Sequence, residues 1–171
     1  MRRTLLFAGI ICCGTALSAS QPLVAQTTNS TSLAGSWQFT LIPVSPAAVA
    51  LVPIEALATF TKDGSVVETD SAEVIPATGS AGNTIYATPG HGIWQPAPAV
   101  GNLFIRFTSL LVNHNGRLHA RKIVTISGAL DSTGNNFKGS YGFELVDPAG
   151  RTIGSGSGTV EGQRIPHPLL P

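Results

Sequence analysis

Residues 102–112, NLFIRFTSLLV, open the run that decides the fold. After a turn at His114-Asn115-Gly116 come residues 117–130, RLHARKIVTISGAL, and after a turn at 131–135 come residues 136–146, NFKGSYGFELV. The turn Asp147-Pro148-Ala149-Gly150 then leads into residues 152–164, TIGSGSGTVEGQR. In each stretch apolar residues alternate with polar ones or with glycine, the period of a half-buried strand, and nothing recurs at helical spacing. Strands joined by short glycine-containing turns form an antiparallel meander.

The same period continues toward the N-terminus. In residues 36–42, Trp37, Phe39 and Leu41 share a face, and a Pro- and Ala-rich connection over 43–53 follows. Residues 54–61 and 66–74 flank the hairpin turn Lys62-Asp63-Gly64-Ser65. A long loop over 76–92 leads to a short strand at 93–95. Eight strands without a crossover segment predict an all-β fold, an eight-stranded antiparallel up-and-down barrel, because closure leaves no unpaired edge. A two-sheet β-sandwich is the alternative. The domain spans 33–165, followed by a Pro-rich tail over 166–171. A transmembrane barrel is disfavoured, since both faces carry polar residues and aromatics are only 6% of the chain.

Residues 1–25 have the layout of a signal peptide: Arg2 and Arg3, an apolar stretch over 5–17, then small residues permitting cleavage after Ser20 or Ala25. The apolar stretch is shorter than the roughly twenty residues a spanning helix needs, so no membrane span is expected after cleavage. Both cysteines, Cys12 and Cys13, lie within it, and a polar leader over 26–32 follows. The expected product is secreted or periplasmic and carries no thiol. The 171 residues, 43% apolar, suffice for one core, and only 11% are charged. A net charge of +1 with no basic run argues against a nucleic-acid partner.

Alternation assigns the interior. Leu103, Ile105, Phe107 and Leu111 face inward, as do Leu118, Ala120, Lys122, Val124 and Ile126, then Phe137, Tyr141, Phe143 and Leu145. Lys122 is the anomaly. A buried ammonium needs a partner, so Lys122 is either a ligand-binding or catalytic group, or it marks a bulge or a place at the barrel mouth. Tyr141 either packs as a core ring or orients a ligand. Glu68, Asp70 and Glu73 make the third strand acidic, and the first two, opposite Val67, are expected on a solvated surface. Gly154, Gly156, Gly158 and Gly162 share a face of the last strand. Closure would bring its end beside Trp37, with the glycines making room for the indole and Arg164 covering it.

Gly35-Ser36-Trp37 on the first strand and Arg164 at the end of the last are similar to the lipocalin pattern, in which a Gly-x-Trp motif and a late Arg close the barrel base. Together with Thr59-Phe60, Asp63-Gly64, Glu68 and Gly90-His91-Gly92-Ile93-Trp94, the chain resembles small secreted bacterial proteins of lipocalin-like type, whose role is largely unassigned. The resemblance implies barrel closure by Gly35, Trp37 and Arg164. It departs from lipocalins in having no disulfide and no C-terminal helix.

Gly90-His91-Gly92-Ile93-Trp94 is the most conspicuous polar feature. His91 would act there as a general base or hydrogen-bond donor at the mouth, with Trp94 stacking on a flat ligand; alternatively the glycines form a tight turn and Trp94 plugs the core. His91, His114, His119 and His167 do not recur at metal-ligand spacing, no nucleophile elbow exists, and no cofactor or metal is expected. The leading expectation is a barrel binding a small apolar or aromatic ligand at its open end. Its wall would be Phe39, Leu41, Ile105, Phe107, Tyr141 and Phe143, with Lys122, Tyr141 and His91 fixing orientation and Trp94 stacking. The alternatives are a cyclase or isomerase using the cavity as a template, with His91 or Tyr141 moving a proton, and an interaction domain with a solid core.

Overall fold

The computed structural model describes residues 32–45, 52–72, 74–76, 84–97 and 102–166. The stretch over 1–25 expected to be a signal peptide, with Cys12 and Cys13, the expected leader except Ser32, His167 and nearly all of the Pro-rich tail lie outside these residues. Among the described residues there are ten strands: β1 (Gly35–Ser45), β2 (Ile54–Phe60), β3 (Ser65–Asp70), β4 (Val74–Pro76), β5 (Thr84–Ala87), β6 (Gly90–Pro96), β7 (Asn102–Asn113), β8 (Leu118–Leu130), β9 (Asn136–Val146) and β10 (Thr152–Arg164). No helix occurs among the described residues.

Eight of the strands form a closed antiparallel ring in the order β7-β6-β3-β2-β1-β10-β9-β8, sealed by pairing of β8 with β7. The first and last strands run side by side from Trp37 opposite Arg164 to Ser45 opposite Ser157. Closure pairs each of the eight ring strands on both sides, so the sandwich alternative is excluded. β5 pairs with the far end of β7, from Ile85 opposite Asn113 to Ala87 opposite Leu111, and β4 pairs with β5. The stretch expected as one long loop over 76–92 is therefore largely strand at its C-terminal end, and the expected third strand over 66–74 is interrupted after Asp70.

Four hairpin turns share one construction. Gly64, Gly116, Gly134 and Gly150 adopt positive φ, and each donates its amide to the carbonyl three residues earlier, on Thr61, Asn113, Asp131 and Asp147. In each, the side chain of that earlier residue also accepts the amide four residues on: Ser65, Arg117, Asn135 and Arg151. A type I turn closed by a left-handed glycine matches the twist of the strands it joins.

Three register shifts fall at the end of the barrel opposite Trp37. They leave Val44, His119 and Ile153 as extra residues in β1, β8 and β10. The bulge at His119 breaks the phase of β8, so Leu118, expected inward, is exposed while Ala120 is fully buried. The core fills the other end. Leu33, Trp37, Phe60, Leu103, Ile105, Phe137 and Val160 pack there, with Phe39 stacked on Trp37 and edge-on to Phe60 and Phe137.

The glycine face of β10 makes room for rings other than the indole. Gly162 stands opposite both Phe39 and Phe137, Gly156 opposite Phe143, and Gly158 opposite Tyr141. A Cβ on Gly162 would strike the Phe39 ring, and one on Gly158 would lie 2.6 Å from the Tyr141 ring. Aromatic rings from the flanking strands lie over bare glycine backbone, which lets them turn inward and cover it. Trp37 faces Arg164 instead.

Candidate functional site

The base of the barrel is closed by Arg164. Its Cζ lies 4.5 Å from the centroid of the Trp37 ring. Nη1 donates to Ala34 O at 2.6 Å, Nη2 to Ser32 O at 2.9 Å and Gly134 O at 3.0 Å, and Nε to Gly134 O at 3.1 Å. Trp37 Nε1 donates to Leu33 O at 2.7 Å, tying the entering chain across the floor. Gly35 has φ +127°, and a Cβ there would sit 2.8 Å from Arg164 Nη1, so the position before Ser36-Trp37 is open to glycine for two reasons.

Above this floor the barrel holds a cavity of about 380 Å³. Phe39, Leu41, Ile54, Ala56, Phe107, Leu111, Val124, Tyr141, Phe143 and Leu145 give it an apolar wall, and Glu68, Asp70 and Lys122 give it charge. Of the wall expected from sequence, Phe39, Leu41, Phe107, Tyr141 and Phe143 line it; Ile105 lies below in the packed core.

Lys122 points into the barrel and is no bulge residue: it stands opposite Ser109 in regular register. Its Nζ lies 2.6 Å from Asp70 Oδ2, an ion pair across the lumen between β8 and β3, which are not neighbours in the ring. Glu68 and Asp70 therefore face inward with Val66, and it is Val67 that is exposed. The expectation of a solvated acidic face is reversed, because the lumen supplies a cation and room for carboxylates. Glu68 is 6% exposed and its Oε2 lies over Gly90, where a Cβ would approach to 2.8 Å. Tyr141 is buried, and that burial pushes its phenol above the ordinary value, so it stays protonated at neutral pH.

His91 and Trp94 do not join this site. Gly90 and Gly92 belong to strand β6 rather than to a turn, and His91 between them projects outward and is exposed. Both glycines are needed because the Phe107 residue of β7 lies against them. Trp94 faces inward but packs edge-on against Phe60 and donates to Thr61 O at 2.8 Å, away from the cavity. Sequence reasoning missed Glu68, Asp70 and Ala56. The available signal was Lys122 itself, since an inward ammonium requires an inward carboxylate.

No protein-family model matches the chain, and no curated protein or solved structure matches it either.

Proposed function

We propose that this chain is a secreted, lipocalin-like barrel that binds a small apolar or aromatic ligand in the cavity above Phe39. The observation that carries the reading is the cavity: about 380 Å³, walled by apolar side chains of several strands, within a closed ring whose other end is filled and pinned by Arg164. A preformed apolar hollow with a few convergent polar groups is the usual form of a small-molecule site. The Gly35, Trp37 and Arg164 arrangement supports the likeness to lipocalins, and Arg2, Arg3 and the apolar stretch over 5–17 support export.

Titration with Nile red, a neutral apolar dye that brightens on leaving water, tests the reading. The expected result is saturable binding at one site, abolished by Ala56→Phe, which fills the lumen from β2, at unchanged circular dichroism. Absence of saturable binding, or binding that Ala56→Phe leaves intact, overturns it.

A further inference from the structure

Tyr141 is 6% exposed and lines the cavity, with its ring lying over Gly158. Among the described residues no group hydrogen-bonds to its Oη, and burial alone, with no hydrogen bond or neighbouring charge contributing, raises the phenol. Every side-chain nitrogen or oxygen sealed from solvent among the described residues has a partner. Tyr141 Oη has none, so it is not sealed, and the space it opens to is the lumen that the residue lines. The other polar side chains of the wall are engaged: Lys122 Nζ lies 2.6 Å from Asp70 Oδ2, and Glu68 is not without a partner. Tyr141 stands apart from that pair on β9, since the residue opposite Lys122 is Leu145, four residues on and about 13 Å along the strand. From this arrangement we infer that the cavity selects apolar ligands that carry a neutral hydrogen-bond acceptor, of which a carbonyl oxygen is the simplest, and that Tyr141 donates to it. The inference rests on the cavity being the ligand site proposed above.

A hydrocarbon that fills the lumen strips water from Oη and leaves the phenol proton without an acceptor, and an unmade hydrogen bond costs more than a made one contributes. A ligand with a carbonyl at that point replaces the water. Because the ring is seated over the bare backbone of Gly158, the hydroxyl is held in place before the ligand arrives and loses little freedom on binding. The phenol keeps its proton at neutral pH, so it is the donor that a carbonyl, which only accepts, requires. The apolar remainder of the wall holds the ligand frame whatever its polar atom.

Displacement of bound Nile red at pH 7 by benzophenone and by diphenylmethane tests the inference, because the two share a frame and differ only in a carbonyl against a methylene. Each is measured on the wild type and on Tyr141→Phe, which removes the hydroxyl and keeps the ring over Gly158. The ratio of benzophenone to diphenylmethane affinity is expected to be about five- to ten-fold higher in the wild type than in the variant. The infrared carbonyl stretch of bound benzophenone supplies a second readout, expected at lower wavenumber in the wild type than in Tyr141→Phe. An unchanged ratio, including equal weakening of both ligands, or an unshifted stretch overturns the inference while leaving the cavity as a binding site. Failure of Nile red itself to bind the wild type overturns the underlying reading, and this inference with it.

Discussion

Lys122 and Asp70 hold each other in a lumen that solvent barely reaches, with side-chain exposures of 15% and 9%. Removing one partner strands the other charge, whereas removing both leaves nothing to satisfy. Asp70→Asn and Lys122→Met are each expected to cost about 3 kcal/mol, and the double variant markedly less than their sum. Urea unfolding of the four proteins checks this, and additive losses would show that the two groups do not depend on each other. The inward phase of Lys122 was legible in the alternation of its strand. Its partner was not, because Asp70 lies 52 residues earlier and no local pattern links them. Alternation did set Glu68 and Asp70 opposite Val67, but the common rule that carboxylates face water chose the wrong side. His91 and Trp94 show the converse. Three residues apart on an extended chain they must point to opposite faces, and reading the segment as a loop concealed that constraint.

Strand by strand, glycine has two distinct uses that predict opposite responses to alanine. On β10 a Cβ at Gly158 would collide with the Ile42 carbonyl oxygen and lie 2.6 Å from Tyr141, whereas a Cβ at Gly142 on β9 meets nothing nearer than Gly156 O at 3.7 Å. Gly158→Ala is expected to lower stability by about 2 kcal/mol, since backbone must move. Gly142→Ala is expected to be neutral or to raise stability by about 0.5 kcal/mol through the unfolded chain. Thermal unfolding of both variants distinguishes a packing requirement from mere glycine richness. The hairpin turns contribute a pH dependence of their own. Hydrogen bonds from the Asn136 side chain, then Thr133, hold the Asp131 carboxyl well below the usual carboxylate range, and the amide of Arg151 foremost lowers that of Asp147. Because the folded values lie below the unfolded value of 3.8, the unfolded chain binds more protons in acid. The stabilisation is full above pH about 4 and is lost as pH falls further. Urea midpoints measured from pH 5 downward should therefore fall, and Asp131→Asn should make the fall shallower. A variant with the wild-type acid slope would remove Asp131 as a contributor. Three of the four turns carry an Asp or Asn three residues before the glycine, a composition that states its own geometry, and the fourth, begun by Thr61, is marked instead by Asp63-Gly64.

The ring as a whole depends on joining β1 to β10, two strands at opposite ends of the described chain. The count of strands and the hairpins between them made that closure legible. The hollow was less so, because whether facing side chains meet in the middle depends on bulges such as that at His119, and on Ala56 being small where its strand passes the lumen. At the closed end, Arg164 touches parts of the chain that are far apart in sequence: the approach to β1 through Ser32 and Ala34, the β8–β9 turn through Gly134, and the Trp37 ring. Its planar fork reaches three carbonyls at once while its face covers the indole, which the single ammonium of a lysine has no geometry to reproduce. Arg164→Ala is expected to destabilise the protein by about 2 kcal/mol or more, and Arg164→Lys to recover less than half of the loss. Hydrogen exchange locates the damage. If Arg164 is what pins the seam, the amides that pair β1 with β10 near Trp37 lose protection first, while those pairing β7 with β8 hold. Uniform loss of protection, or full rescue by lysine, would mean that charge or bulk alone suffices at the floor and that the seam is held by its backbone ladder.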